Sequence, residues 1–191
     1  MPALVLIDVQ RGIDQAEHWG GNRNNEHAES NIELLLAQWR LNDLPVVIVQ
    51  HCSKSSLSPF RPGTYGNDLK DFVEIRPGDK HIQKSATSAF IATDLERYLT
   101  DKGIKSVVIC GFVTNNSVEA TARQAGDLGF NTTVVSDAVA CFDKQGLNGS
   151  IYESGLVHQI SLSNLAGEYA SIMTTDEVIR ALANQNLTPR S

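Results

Sequence analysis

Three polar side chains stand at the ends of apolar runs in this sequence, and together they could carry out acyl-transfer chemistry. Asp8 directly follows "LVLI", Lys84 follows "HIQ" and precedes "SATSAF", and Ser117 lies within "ICGFVTNNSVEATARQAG" (109–126). In that last stretch an apolar strand runs into a turn, and the turn opens a helix. A carboxylate that ends an apolar run needs a partner if it is buried. A lysine beside it keeps it ionised and can polarise a nucleophile. A side chain in the first turn of a helix meets unpaired N–H groups and the positive end of the helix dipole. A thiol placed there is a strong nucleophile. A serine gains less, because its hydroxyl is a far weaker acid and needs a base. Read singly, the same residues are ordinary: Asp8 a turn cap, Lys84 a surface lysine, and Asn115, Asn116 and Ser117 helix-starting residues. On local residues alone, that plainer reading of Ser117 leads.

The elements that must position these groups follow from the apolar patterning. Continuous β-branched runs at 3–9, 44–51, 106–111 and 132–138 suit strands buried on both faces, and shorter strands are expected at 80–84 and 169–174. Ile32, Leu35, Leu36 and Trp39 recur at helical spacing, which makes Trp39 a core residue. Val118, Thr121, Ala122, Ala125 and Leu128 share another helical face, closed by Gly129. Thr93/Glu96, Ser150/Glu153 and Thr174/Glu177 have capping-box spacing and predict three further helix starts, the first helix ending at Gly103. Strand and helix alternate throughout. This predicts an α/β fold, a three-layer α/β/α sandwich with a mostly parallel six-stranded sheet, as one domain over 1–191. In such folds the site lies beyond the carboxyl ends of the strands. Asp8, Gln10, His51, Lys84, Ser85, the turn from Gly111 to Ser117, and Asp137 all fall there.

Composition narrows the partners. The 191 residues are 41% hydrophobic and 20% charged, with 16 Lys and Arg against 22 Asp and Glu, a net charge of −6. No basic stretch accumulates, so no nucleic-acid partner is expected. No run approaches the roughly 18 apolar residues of a membrane helix, so no membrane partner is expected either. "MPALVLIDVQ" lacks a basic start and reads as a strand rather than a signal peptide. Cys52, Cys110 and Cys141 are too few and too scattered for a disulfide framework or a zinc knuckle, which fits a cytoplasmic protein.

The order "LIDVQ", "KSATSAF", "GFVTNNSVEATARQAGDLGF", "VSDA" resembles the isochorismatase-like superfamily of hydrolases. Many of its members are cysteine hydrolases acting on amides. The resemblance runs from the first strand to about residue 175. The family pattern at the third motif is G-x-x-T-x-x-C-V-x-x-T-A. Here Gly111, Thr114, Val118, Thr121 and Ala122 fill their places, and Ser117 stands where the cysteine belongs. The resemblance implies a triad of Asp8, Lys84 and residue 117, in which the aspartate takes the nucleophile's proton. It also implies an oxyanion site at the backbone N–H groups of 114 and 117, a cis peptide between Val113 and Thr114, and a homo-oligomer, dimer or tetramer. The serine is then a replacement for the cysteine, introduced or natural, in a C–N hydrolase. Alternatively it marks chemistry that needs no thiol. Isochorismatases proper resemble that case, hydrolysing a vinyl ether with the aspartate as acid, but their substrate is a dicarboxylate and the cations near this site are few: Lys84, Arg23 and Arg61. A catalytically inactive binding homologue is a third reading, against which Asp8 and Lys84 stand intact.

Nicotinamidases hold a metal with an Asp-x-His pair after the second strand. This chain has Gln50, His51 and Cys52 there, so no catalytic metal and no cofactor are expected. The partner is then a small molecule, an amide, carbamoyl or imide-type compound. Gln10, Trp19, Arg23, His51, Phe60 and Phe90 are its expected contacts, with Tyr65 and Phe142 as further apolar wall.

Overall fold

The computed structural model describes residues 1–187. Its strands are β1 (Pro2–Ile7), β2 (Val46–His51), β3 (Lys80–Lys84), β4 (Ser106–Phe112), β5 (Asn131–Ala140), β6 (Lys144–Gln145), β7 (Ile151–Tyr152) and β8 (Ser171–Met173). Its α-helices are α1 (Ala16–Trp19), α2 (Ala28–Leu41), α3 (Leu95–Asp101), α4 (Glu119–Asp127), α5 (Ser154–Leu165) and α6 (Thr175–Leu187). Six strands form one sheet in the order β3-β2-β1-β4-β5-β8, and every neighbouring pair is parallel.

The apolar runs explain the layers. Leu4 and Leu6 of β1 face one core, with Ile32, Leu35, Leu36 and Trp39 of α2 and Val178 and Leu182 of α6. Ala3, Val5 and Ile7 face the other, with Leu95 and Leu99 of α3, Ala122 and Ala125 of α4, and Leu162 and Leu165 of α5. A strand buried on both faces cannot alternate polar and apolar residues, and this one does not. The three-layer α/β/α sandwich with a parallel six-stranded sheet is thus the observed architecture. Trp39 is fully buried, its indole N–H donating to Pro2 O at 3.1 Å.

Two of the three expected capping boxes do not form. At Thr174/Glu177 the reciprocal pair is present: Thr174 N–H donates to Glu177 Oε2 at 2.8 Å, and Glu177 N–H to Thr174 Oγ1 at 3.3 Å. At Thr93 the hydroxyl turns back to Ala89 O at 2.6 Å, and Asp94 precedes the helix instead. After Ser150 the chain is still in an unpredicted hairpin, β6 paired antiparallel with β7. The helix starts only at Ser154, whose N–H is taken by Asp143 Oδ1 at 2.8 Å.

One glycine sets how the central strands end. Gly111 has φ +118°, and a Cβ there would lie 2.0 Å from Ile7 O, the residue before Asp8. The β4–β5 register also shifts between Ile109 and Gly111. Gly111→Ala is therefore expected to cost about 3 kcal/mol through left-handed backbone strain and a backbone clash, read as a drop in thermal unfolding temperature.

Candidate active site

The parallel sheet delivers three side chains to one point at its carboxyl edge. Asp8 follows β1 in a left-handed conformation, φ 52°, with its N–H on Val49 O at 2.9 Å. Lys84 ends β3, two strands away, and its extended side chain reaches back past His51 at the end of β2. Ser117 sits in a wide single turn, Thr114–Val118, that leads from β4 into α4. Lys84 Nζ lies 2.9 Å from Asp8 Oδ2 and 3.2 Å from Ser117 Oγ. It also lies 3.2 Å from Ala86 O and 3.2 Å from His51 Nδ1. An ammonium has three N–H bonds, so four neighbours share three donors.

Burial tunes these groups. The side chains of Lys84 and Asp8 are 0% and 2% exposed, so the pair has left water. Burial pushes the Asp8 carboxyl above its ordinary value, opposed by Lys84, by the Ser117 hydroxyl and by His51. Asp8 Oδ1 has no hydrogen-bond partner among the described residues. Burial, and then the Lys84 charge, push His51 down, which keeps its ring neutral near pH 7. The result is one buried cation that donates to both a carboxylate and a hydroxyl.

A cavity of about 310 Å³ opens over this cluster, walled by Trp19, His51, Phe60 and Phe112, with Asp8 and Ser117 at its base. Trp19 is pinned by its N–H to Gly12 O at 2.9 Å and packs against Phe60 with ring centres 5.0 Å apart. No lysine or arginine lines this cavity among the described residues. A second cavity of about 310 Å³, bordered by Phe142, adjoins it across Trp19, Val113 and Asn116.

Of the six expected contacts, Trp19, His51 and Phe60 line this cavity, and Gln10, Arg23 and Phe90 do not. Gln10 is fully buried and serves the backbone: its Nε2 donates to His51 O and Asn67 O, at 3.0 and 2.7 Å, and its Oε1 accepts from His51 N–H at 2.7 Å. It is bonded to the His51 backbone and does not line the cavity. Arg23 is taken by Glu29 through two hydrogen bonds of 2.8 and 2.7 Å, and lies over the Phe112 ring. Phe90 is buried against Phe130 in the core beneath α3 and α4. Tyr65 is exposed and bonded to Arg11 rather than walling the cavity. The cis peptide is Phe112–Val113, one bond earlier than expected, because β4 ends at Phe112 and the turn begins there.

Sequence reading missed the tethers of the turn. Thr114 Oγ1 lies 3.1 Å from Nδ1 of His158 on α5, a histidine that burial pushes down. Ser161 Oγ, also on α5, lies 3.2 Å from Thr114 O and 2.6 Å from Glu119 Oε2. Asn67 Nδ2 donates to both His51 O and Phe60 O, at 2.8 and 2.9 Å, tying two cavity walls together. Nothing in "GLVHQIS" or "TYGND" distinguishes these from surface residues. At the end of β2, His51 Nδ1 lies against Lys84 Nζ, and among the described residues no three His, Cys, Asp or Glu cluster as ligands. No helix among the described residues is long and apolar enough to cross a membrane.

Comparison with known proteins adds the following. The family model "Isochorismatase domain" matches residues 2–177. The chain is 40% identical to YrdC, an uncharacterized isochorismatase family protein of Bacillus subtilis (strain 168), over 93% of this chain and 94% of that one. It is 33% identical to Nicotinamidase 3 of Arabidopsis thaliana, over 94% of this chain and 88% of that one. A crystal structure from Chromobacterium violaceum, assigned to the same family, superposes with a TM-score of 0.91 at 41% identity, covering 96% of this chain and 94% of that one.

Proposed function

This chain belongs to the isochorismatase family, a hydrolase superfamily, and from that premise we propose that it cleaves a C–N bond of a small, uncharged amide or carbamoyl compound at Ser117. The observation that carries the reading is Lys84 Nζ bridging Asp8 and Ser117 at the base of an open cavity. In the proposed reaction ionised Asp8 accepts the Ser117 proton as Oγ bonds to the substrate carbonyl carbon. The charge developing on the carbonyl oxygen meets the backbone N–H groups of Thr114 and Ser117. The C–N bond then breaks as the proton held by Asp8 passes to the departing nitrogen, leaving an ester on Ser117. Asp8 next takes a proton from water, the hydroxide attacks the ester, and the proton returns to Ser117 Oγ. Lys84 stays charged throughout and holds Asp8 ionised. Similarity to a relative named Nicotinamidase 3 supports C–N chemistry, and aromatic walls without a lysine or arginine suit an uncharged ligand.

The test is ammonia release from a panel of primary amides. Asp8→Asn is expected to lower it by about 10²- to 10⁴-fold. A second reading is favoured by one observation: a carboxyl raised by burial, with one oxygen unpartnered, suits a general acid that protonates a vinyl ether. The two diverge with pH. As a base Asp8 must be ionised, so the rate rises with pH through a pKa that lies above its ordinary 3.8. As an acid it must be protonated, and the rate falls through the same pKa.

A further inference from the structure

The second cavity has a role in neither reading, yet it is built rather than incidental. Gly20, at φ +130°, brings the loop after α1 so close to the 142–143 segment that a Cβ would lie 2.0 Å from Asp143 O. Asp143 N–H donates to Asn22 O at 3.0 Å, Asn22 Nδ2 to Asp143 Oδ2 at 2.9 Å, and Arg23 bridges Phe142 along the backbone. Trp19, which with Val113 and Asn116 borders both cavities, packs against Phe60 and has its ring 6.4 Å from that of Phe142 and 25° from parallel.

The second cavity offers the carboxamides of Asn115 and Asn116, which donate and accept, the Lys144 ammonium, and the Asp143 carboxylate. Asp143 lines this cavity too, but one carboxylate oxygen accepts from Asn22 Nδ2 and the other from Ser154 N–H, which also hold its carboxyl below the usual range. What remains to meet a ligand are the carboxamides of Asn115 and Asn116 and the Lys144 ammonium. Asn116 borders the first cavity as well, so a primary amide on a single ring leaves Asn115 and Lys144 to water. Resting on the C–N hydrolase reading above, we propose that the substrate spans both cavities, its reacting carbonyl at Ser117 and an oxygen-bearing tail, carbonyl or carboxylate, against Asn115, Asn116 and Lys144. The substrate class is then an amide with a second oxygen acceptor beyond Trp19, not a simple aryl or alkyl amide.

Covalent capture tests this without knowing the substrate. In the Ser117→Cys protein, the introduced thiolate attacks the methylene of a chloroacetamide, forming an S–C bond and expelling chloride. Reagents would carry N-linked tails of one length ending in carboxamide, carboxylate or methyl. Labelling is followed by intact mass and peptide mapping, which separates residue 117 from half-exposed Cys52, and each rate is divided by that of glutathione. The oxygen-ended tails are expected to label at least about fivefold faster than the methyl tail, roughly a factor that one good hydrogen bond supplies. Adding Lys144→Met then distinguishes the two sources: a loss confined to the carboxylate tail identifies an anion, and an equal loss for both oxygen tails identifies a neutral carbonyl. Equal rates for all three tails, with residue 117 labelled, overturn the tail and leave the hydrolase reading intact. Labelling of Cys52 alone, with residue 117 inert to every reagent, sinks both. Tryptophan fluorescence of the unchanged chain, in which Trp19 borders both cavities and Trp39 is fully buried, gives an independent check: succinamide is expected to bind more tightly than butanamide, and equal affinities overturn the proposal.

Discussion

Ser117→Cys is expected to raise ammonia release from primary amides on the order of 10²-fold or more, and to place a thiol whose pKa lies below the ordinary 8.5 or so. The reason is geometric. The side chain at 117 sits in the turn that leads into α4, 3.2 Å from the Lys84 ammonium, and both features stabilise an anion there. A hydroxyl cannot use that stabilisation near pH 7, because its pKa lies too far above. A thiol can, and Lys84, with three N–H bonds for four neighbours, can shift one donor from His51 toward a thiolate. The check is an ammonia-coupled assay of both forms beside a pH titration of thiol alkylation. A serine form that turns over a vinyl ether, with that activity lost in Asp8→Ala, would instead make residue 117 a bystander. Two forms inert toward every amide and vinyl ether would leave a binding protein.

The polypeptide advertises the parts of this arrangement that depend on runs of residues and conceals those that depend on single rotamers. β1 and β4 are readable because strands buried on both faces must be apolar without alternation, and their carboxyl ends then mark where Asp8 and the Gly111–Ser117 turn must lie. Lys84 alone carried no signal; its meaning came from the order of the three motifs. Gln10, Arg23 and Phe90 were as well placed along the chain as Trp19 and His51, yet each found a better partner inside the fold: backbone amides, Glu29 and Phe130. Competition between a ligand and an internal partner is decided by distances of an ångström, which spacing along a chain does not encode. The β6–β7 hairpin escaped for another reason. Its strands are two residues each, too short for any period to show.

Lys84→Met is expected to cost about 3–5 kcal/mol in stability, because it leaves the Asp8 charge buried with only the Ser117 hydroxyl and the His51 ring beside it. The cost depends on pH, and its sign follows from Asp8. Burial already holds that carboxyl above 3.8 in the folded protein, with Lys84 as the largest opposing influence. Without Lys84 the folded pKa rises further, while the unfolded value stays near 4. Between the two values the folded state holds a proton that the unfolded state has released, so stability is greatest below the unfolded pKa and falls as pH rises through the folded one. Thermal melts at pH 5 and pH 8 should therefore show a gap between the parent and Lys84→Met that widens toward pH 8. Asp8→Asn combined with Lys84→Met removes both charges, and it is expected to recover most of the lost stability while remaining inactive. A double variant that stayed as unstable as Lys84→Met at pH 8 would mean that packing around the Lys84 stem, not the charge pair, holds this end of the sheet. Recovery of stability without activity would mean that the fold tolerates losing the pair and the chemistry does not. The buried ions would then be kept for what they do to the oxygen at residue 117.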